Sequence, residues 1–206
     1  YAVVCDYKTG SPKLSLNEIM EGLSLQLITY LLALSKTKDT KDLLPAAMMY
    51  IYLHGRPKSI SVPPNGIPHP KEKENTNGIF LNDPDVLRTL DSQSGTDDGF
   101  IGVSYVKDGS VKKTSPVLTA EEFEALKALT EKILIRLYSR LESGESAIHP
   151  VKNGTLSPCS YCPYRSICRF DPALPENSFD YISKVSDKTI REKLDEEMKR
   201  NGKENL

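Results

Sequence analysis

The residues with the clearest chemical potential are Asp6 and Lys8, near the start of this 206-residue chain. Residues 1–8 form an apolar run that predicts a buried strand. Residues two apart on a strand point to the same side, so the carboxylate and the ammonium share one face. An aspartate can hold Mg²⁺, and a nearby lysine can orient a water or stabilise developing charge on a phosphodiester. Taken alone, such a tripeptide is more often an exposed ion pair at a strand end.

A second polar pair follows in the next predicted element. Ser15 and Glu18 form a capping box ahead of a long segment that is apolar on two sides, which predicts one helix packed between other elements. Gln26 and Tyr30 stand four residues apart on this helix and project from one face. A glutamine among leucines must find a hydrogen-bonding partner. Taken alone, Gln26 could satisfy a backbone group while Tyr30 packs.

A third candidate site is a group of cysteines spaced C-x₂-C-x₅-C, namely Cys159, Cys162 and Cys168. The spacing lets three thiolates converge on one metal centre, and no secretion signal favours a disulfide framework instead. Zinc needs four ligands and could recruit His149. A [4Fe–4S] cluster needs four cysteines, and only Cys5 remains. We expect Cys5 to point into the core from the first strand rather than to act as the fourth ligand.

Composition sets limits on the function. The net charge of −1 provides no bulk basic field for nucleic acid, which leaves local phosphate contacts through a metal ion and a few lysines. No apolar run approaches the ~18 residues that cross a membrane. The chain starts on an apolar run, without a methionine or a signal peptide. We therefore expect a piece cut from something longer.

Further elements are predicted from local signals. Residues 46–53 predict a second strand, and the proline and charge content of residues 55–77 predicts a mobile insertion. Asp83 and Pro84 suit the cap and first position of a helix that runs to about Leu90.

The second half of the chain carries similar signals. Residues 100–106 and 111–114 predict a hairpin that turns at an Asp-Gly pair. Thr119 and Glu122 form another capping box, and its helix should stop at Gly144.

Three regions are expected: a partial nuclease core over 1–147, the cysteine segment over 148–172 and a charged tail over 173–206. The tail carries a thin apolar helical stripe formed by Ile190, Leu194 and Met198.

In combination, D-x-K followed by a Q-x-x-x-Y helix resembles the signature of RecB-type nucleases of the PD-(D/E)-x-K superfamily. The resemblance implies that Asp6 and Tyr7 hold the metal, Mg²⁺, and that Lys8 is the catalytic lysine. It implies that Gln26 and Tyr30 line the active site and contact DNA or the metal-bound water. It also implies an α/β, restriction-endonuclease-like fold, in which helices flank a small mixed sheet.

The cysteine segment is similar to that of AddB-type helicase–nuclease subunits, as are residues 45–54 and 78–87. In that family three such cysteines follow the nuclease motifs, and a fourth lies well upstream. The resemblance implies a structural [4Fe–4S] cluster held by Cys159, Cys162 and Cys168, with zinc as the alternative. It also implies an upstream acid, histidine and cysteine that this chain lacks, so we expect weak activity and a labile cluster.

The function implied is a DNA exonuclease for double-strand break repair and recombination in the bacterial cytoplasm. An AddA-type helicase–nuclease subunit would feed it single strands. One alternative is a Cas4-like nuclease with the same motifs. The other is a zinc-stabilised DNA- or protein-binding module, in which Asp6 and Lys8 are incidental.

Overall fold

The computed structural model of the chain describes residues 1–10, 12–53, 76–96, 99–154, 157–175 and 177–204. The predicted insertion at 55–77 lies outside these residues, except for Thr76 and Asn77, which begin a strand.

The described residues alternate between strands and helices. The first half contains β1 (Ala2–Lys8), α1 (Leu16–Met20), α2 (Gln26–Lys36), β2 (Pro45–Tyr52), β3 (Thr76–Leu81) and α3 (Pro84–Leu90). The second half contains β4 (Val117–Leu118), α4 (Ala120–Glu142), β5 (Val151–Lys152), a 3₁₀ turn (Pro158–Ser160), α5 (Arg165–Cys168), β6 (Asp180–Tyr181) and α6 (Asp187–Glu204). None of the helices in the described part of the chain is long and apolar enough to cross a membrane.

Four of the described strands form a mixed sheet in the order β1-β2-β3-β4. β1 runs parallel to β2 and sets Asp6 opposite Tyr50, whereas β3 is antiparallel to β2 and parallel to β4. A parallel pair needs a crossover connection, which α1 and α2 supply between β1 and β2. The predicted α/β fold, a mixed sheet flanked by helices, is confirmed.

The core lies on both faces of the central strands. On one face α1, α2, α4 and α6 pack against the sheet, with Leu27 and Phe123 fully buried. On the other face α3 and the chain around Ile101 cover Ala47 and Phe80. The first six residues of β2 are all buried, as expected for a strand covered on both sides. This confirms the second predicted strand.

The prediction of one long helix after β1 is wrong, because α1 and α2 are separated by a turn. The Leu23 N–H donates to the Glu18 carbonyl at 2.8 Å and the Gly22 N–H to that of Ile19 at 3.0 Å. These bonds close a Schellman motif, and Gly22, at φ 83°, takes the left-handed conformation without a Cβ penalty. Apolar residues continue through the turn, which hides it from periodicity. The expected burial of α2 between other elements is confirmed, since it contacts the sheet and α4.

Two predicted helix starts are confirmed by their caps. The Asp83 carboxylate accepts the N–H groups of Asp85 and Val86 at the start of α3. Both halves of the capping box between Thr119 and Glu122 are present at the start of α4. These signals succeed because each of them involves residues within one turn of the chain.

The predicted hairpin is reduced to its turn and a single bridge between Tyr105 and Val111. Gly109 has a φ of 86° in the turn, as the sequence predicts. The predicted strands do not extend further, because the Ser115 hydroxyl accepts the Ser104 N–H and donates to the Ser104 carbonyl. A side chain thus occupies backbone groups that a longer ladder would need.

The charged C-terminal region contains α6, which packs on α4. Within the predicted apolar stripe, Ile190 and Leu194 are buried and Met198 packs against the same core. Glu197 is also buried and forms an ion pair with Lys132 of α4. The stripe is confirmed. The buried carboxylate could not be predicted, because its partner lies far away in the sequence.

Candidate active site

Asp6 and Lys8 lie at the solvent end of the β1 face that is directed toward α2. Val4, two residues earlier on this face, is buried in the core. The side chains of Asp6 and Lys8 keep 23% and 30% of their exposure, and Lys8 Nζ lies 2.7 Å from Asp6 Oδ2. The strand thus presents a carboxylate and an ammonium side by side where the core opens to solvent.

The helix that follows completes a chain of polar contacts. Lys8 Nζ donates to Gln26 Oε1 at 2.9 Å, and Gln26 Nε2 donates to the Tyr30 hydroxyl oxygen at 3.2 Å. Gln26 is half-buried at the first position of α2, and Tyr30 is 47% exposed one turn later. The structure therefore brings the four predicted catalytic residues together, and the partner that Gln26 requires is the catalytic lysine.

Tyr50 joins this group, although nothing in the sequence assigned it a role. It lies opposite Asp6 on β2, is almost fully buried, and its ring centroid is 5.1 Å from Lys8 Nζ. Burial raises the pKa of the Tyr50 hydroxyl, and the positive charge of Lys8 opposes that shift. The aromatic face favours the lysine cation. Only the register between β1 and β2 reveals the contact, and the sequence does not specify that register.

The electrostatics of the pair suit a site that holds positive charge. Hydrogen bonding to Asp6, followed by its negative charge, holds the pKa of Lys8 above the ordinary value. Asp6 Oδ2 is nevertheless buried and, among the described residues, has no partner in good hydrogen-bond geometry. The lysine is near enough for an ion pair but is poorly oriented toward this oxygen. A buried carboxylate oxygen in this state is a strong acceptor without a donor.

That orphaned oxygen fits a hard cation such as Mg²⁺. The Tyr7 side chain is exposed on the opposite face of β1, so it cannot join Asp6. Lys8 O accepts the Leu53 N–H on the β2 side, so the Tyr7 carbonyl, one residue earlier, faces the other edge. Only this backbone oxygen could act with Asp6. The described residues contain no cluster of three or more His, Cys, Asp or Glu that could hold a metal.

The predicted cysteine ligands lie in one segment, but they do not form such a cluster. Cys159 is in the 3₁₀ turn and Cys162 follows it, both half-buried, while Cys168 is exposed at the end of α5. His149, the alternative zinc ligand, instead contacts the Ser178 hydroxyl at 3.2 Å. The expectation that Cys5 points into the core is wrong: it is exposed, because no described element covers that face of β1.

The cysteine segment is attached to the rest of the fold at its start. β5 pairs in parallel with β6, and Lys152 lies over the Phe179 ring at 5.0 Å from its centroid. Asn153 Nδ2 donates to Glu18 Oε1 at 3.1 Å. The segment therefore contacts both the C-terminal region and α1, the helix between β1 and the glutamine helix.

Comparison with known families decides which kind of protein this arrangement belongs to. The sequence profile of the PD-(D/E)XK nuclease superfamily matches residues 1–169. The chain belongs to this superfamily. This nuclease domain thus includes the whole acid–lysine–glutamine–tyrosine group and all three clustered cysteines within the matched residues.

Similar proteins share one name, that of the AddB-type subunit of an ATP-dependent helicase/deoxyribonuclease. The one from Desulforamulus reducens is 32% identical, over 92% of this chain and 17% of the relative. Those from Clostridium acetobutylicum and Clostridium kluyveri are 30% and 33% identical, over 99% and 92% of this chain. The chain spans 17–18% of the length of these relatives. The resemblance to AddB-type nuclease domains is confirmed.

Proposed function

We propose that this chain is the nuclease part of a helicase–nuclease subunit and hydrolyses DNA phosphodiesters as an Mg²⁺-dependent exonuclease. The observation that carries the proposal is the continuous contact chain from Asp6 through Lys8 and Gln26 to Tyr30. The names of the similar proteins support DNA as substrate and a helicase–nuclease setting. An AddA-type partner subunit, a role in break repair and recombination, and a cytoplasmic location complete the proposal.

Asp6 and the Tyr7 carbonyl would hold Mg²⁺, which when bound acts as a Lewis acid and lowers the pKa of water. In hydrolysis a water oxygen attacks phosphorus, one ester bond breaks, and its oxygen leaves with a proton. Lys8 has three donors, of which one is used by Gln26. The remaining ammonium hydrogens can stabilise charge on the phosphate oxygens as it develops.

Gln26 and Tyr30 position these groups. The Gln26 amide oxygen accepts from Lys8 and so fixes the direction of the ammonium. Tyr30 accepts from the Gln26 amide, which leaves its own hydroxyl hydrogen free to donate. Because Tyr30 is half exposed, this hydrogen can reach a phosphate oxygen of bound DNA. The helix thus provides one internal restraint and one external donor.

The proposal predicts that Lys8→Ala lowers the Mg²⁺-dependent degradation of linear DNA by about 10²- to 10³-fold, the usual effect of losing one charge-stabilising donor. The rate is measured in this chain and in a longer polypeptide that extends it upstream. We expect this chain to be the slower of the two, because Asp6 stands without a second described carboxylate.

The matched control is Lys112→Ala, which removes an exposed lysine away from the site. It should leave the rate unchanged. If both proteins bind DNA but cleave none of it, or if Lys8→Ala cleaves as fast as the parent, the domain is a binding module and the proposal fails.

We further propose that Cys159, Cys162 and Cys168 hold a structural [4Fe–4S] cluster with a fourth cysteine from outside this chain. Their spacing supports it, as do the partly or fully exposed thiols on a segment that also contacts the core. Zinc is the alternative, because the same three thiolates could form a tetrahedral site with one further ligand.

Anaerobic purification separates these cofactors. We expect a broad absorbance band at about 400 nm from charge transfer between thiolate and iron, with iron and sulfide in the metal analysis. Cys162→Ser should abolish the band, whereas Cys5→Ser should not, since Cys5 lies on β1. Stoichiometric zinc without the band would identify a zinc site instead.

A further inference from the structure

Glu18 occupies an unexpected place between the cysteine segment and the active-site helix. The capping box predicted that its carboxylate would return to the Ser15 backbone. Only half of that box forms: the Ser15 hydroxyl accepts the Glu18 N–H at 3.4 Å. The carboxylate itself makes two other hydrogen bonds, one with each oxygen. It is therefore engaged in contacts between separate parts of the chain.

The first of these bonds is to the turn that leads into α2. Glu18 Oε2 accepts the Ser24 hydroxyl at 2.8 Å. Ser24 has a φ of 50°, a left-handed conformation that residues other than glycine seldom adopt. It lies two residues before Gln26, and the start of α2 has no side-chain cap of its own. The bond therefore restrains the backbone that sets the position of Gln26.

The second bond reaches a residue 135 positions away in the sequence. Glu18 Oε1 accepts from Asn153 Nδ2 at 3.1 Å, directly after β5. One half-buried carboxylate thus joins the start of the cysteine segment to the turn before the catalytic helix. With both oxygens occupied, Glu18 is not available as a ligand for a metal at Asp6.

We infer that Glu18 is a positioning residue that transmits the placement of Asn153 to Gln26, and through Gln26 to Lys8. The path is Asn153, Glu18, Ser24, the first turn of α2, Gln26 and Lys8, and each step is a hydrogen bond or two peptide units. This role rests on the proposed nuclease function for its effect on catalysis. Its structural part concerns only contacts within this chain.

The test uses the side-chain amide resonances of Gln26 in ¹H–¹⁵N spectra of the whole chain. Asn153→Ala and Glu18→Gln should both shift these resonances, although neither residue contacts Gln26. They should also lower kcat by roughly tenfold while KM stays within about twofold, in the range of known couplings between sites. Glu21→Gln, an exposed residue that ends α1, is the matched control and should change neither quantity.

Ser24→Gly separates positioning from simple loss of structure. Glycine accepts a φ of 50° without the hydroxyl, so it should partly restore the Gln26 resonances and kcat in the Glu18→Gln background. Unchanged Gln26 resonances in Asn153→Ala and Glu18→Gln would overturn the inference. If the resonances shift but even the parent cleaves no DNA, the positioning role stands and the proposed function fails.

Discussion

Asp6→Asn is expected to lower Mg²⁺-dependent DNA cleavage by at least about 10³-fold, because it removes the anionic oxygen proposed to hold the metal. Asparagine keeps the shape of the side chain, so packing around Val4 and Tyr50 should survive. The buried Oδ2, which lacks a well-oriented hydrogen bond, becomes either an amide nitrogen or a neutral oxygen. Neither replaces a carboxylate toward Mg²⁺.

The measurement is cleavage rate against Mg²⁺ concentration, together with metal binding by titration calorimetry. Asp42→Asn, at an exposed position before β2, is the matched control and should behave like the parent. In Asp6→Asn the pKa of Lys8 should also fall, since Asp6 is the main cause of its upward shift. Parental metal affinity in Asp6→Asn would show that the ion binds elsewhere.

Gly78→Ala is expected to destabilise the fold by about 3 kcal/mol, at the upper end of the usual cost of overpacking. Gly78 lies opposite Met49 on the antiparallel strand. An added Cβ would stand 2.5 Å from Met49 Cβ and 2.8 Å from the Met48 carbonyl oxygen. Both atoms belong to the backbone or are attached to it, so relief requires β2 and β3 to separate.

Thermal unfolding checks this expectation, with a fall in Tm of roughly 10 °C for a chain of this size. Gly102→Ala is the matched control, because a Cβ there meets nothing within 4 Å. Its Tm should stay close to that of the parent. Equal Tm values for the two variants would mean that the sheet tolerates the wider spacing. β2 carries Tyr50, so a partly folded Gly78→Ala protein should also lose activity.

The candidate site was predictable from sequence because each half of it rests on a local period. The two-residue repeat of a strand placed Asp6 beside Lys8, and the four-residue repeat of a helix placed Gln26 beside Tyr30. The hydrogen bond that joins the halves depends on how α2 packs against β1. Only the family resemblance anticipated that the two pairs meet.

The unpredicted features depend on partners that are distant in sequence. Glu18 has the spacing of a capping residue, yet Ser24 and Asn153 take its carboxylate. The break between α1 and α2 was hidden because leucines occupy the turn as well as the helices. Cys5 was assigned to the core by alternation, but alternation does not reveal which faces of an edge strand are covered.

The position of β1 has a consequence for how the protein behaves in solution. β1 borders the sheet, and no strand in the described part of the chain pairs with its outer edge. The peptide groups of Cys5 and Tyr7 point outward there, beside the exposed side chains of Val3 and Tyr7. Such an edge readily accepts a strand from another molecule. Concentrated samples should therefore self-associate through intermolecular β-pairing unless another strand covers this edge.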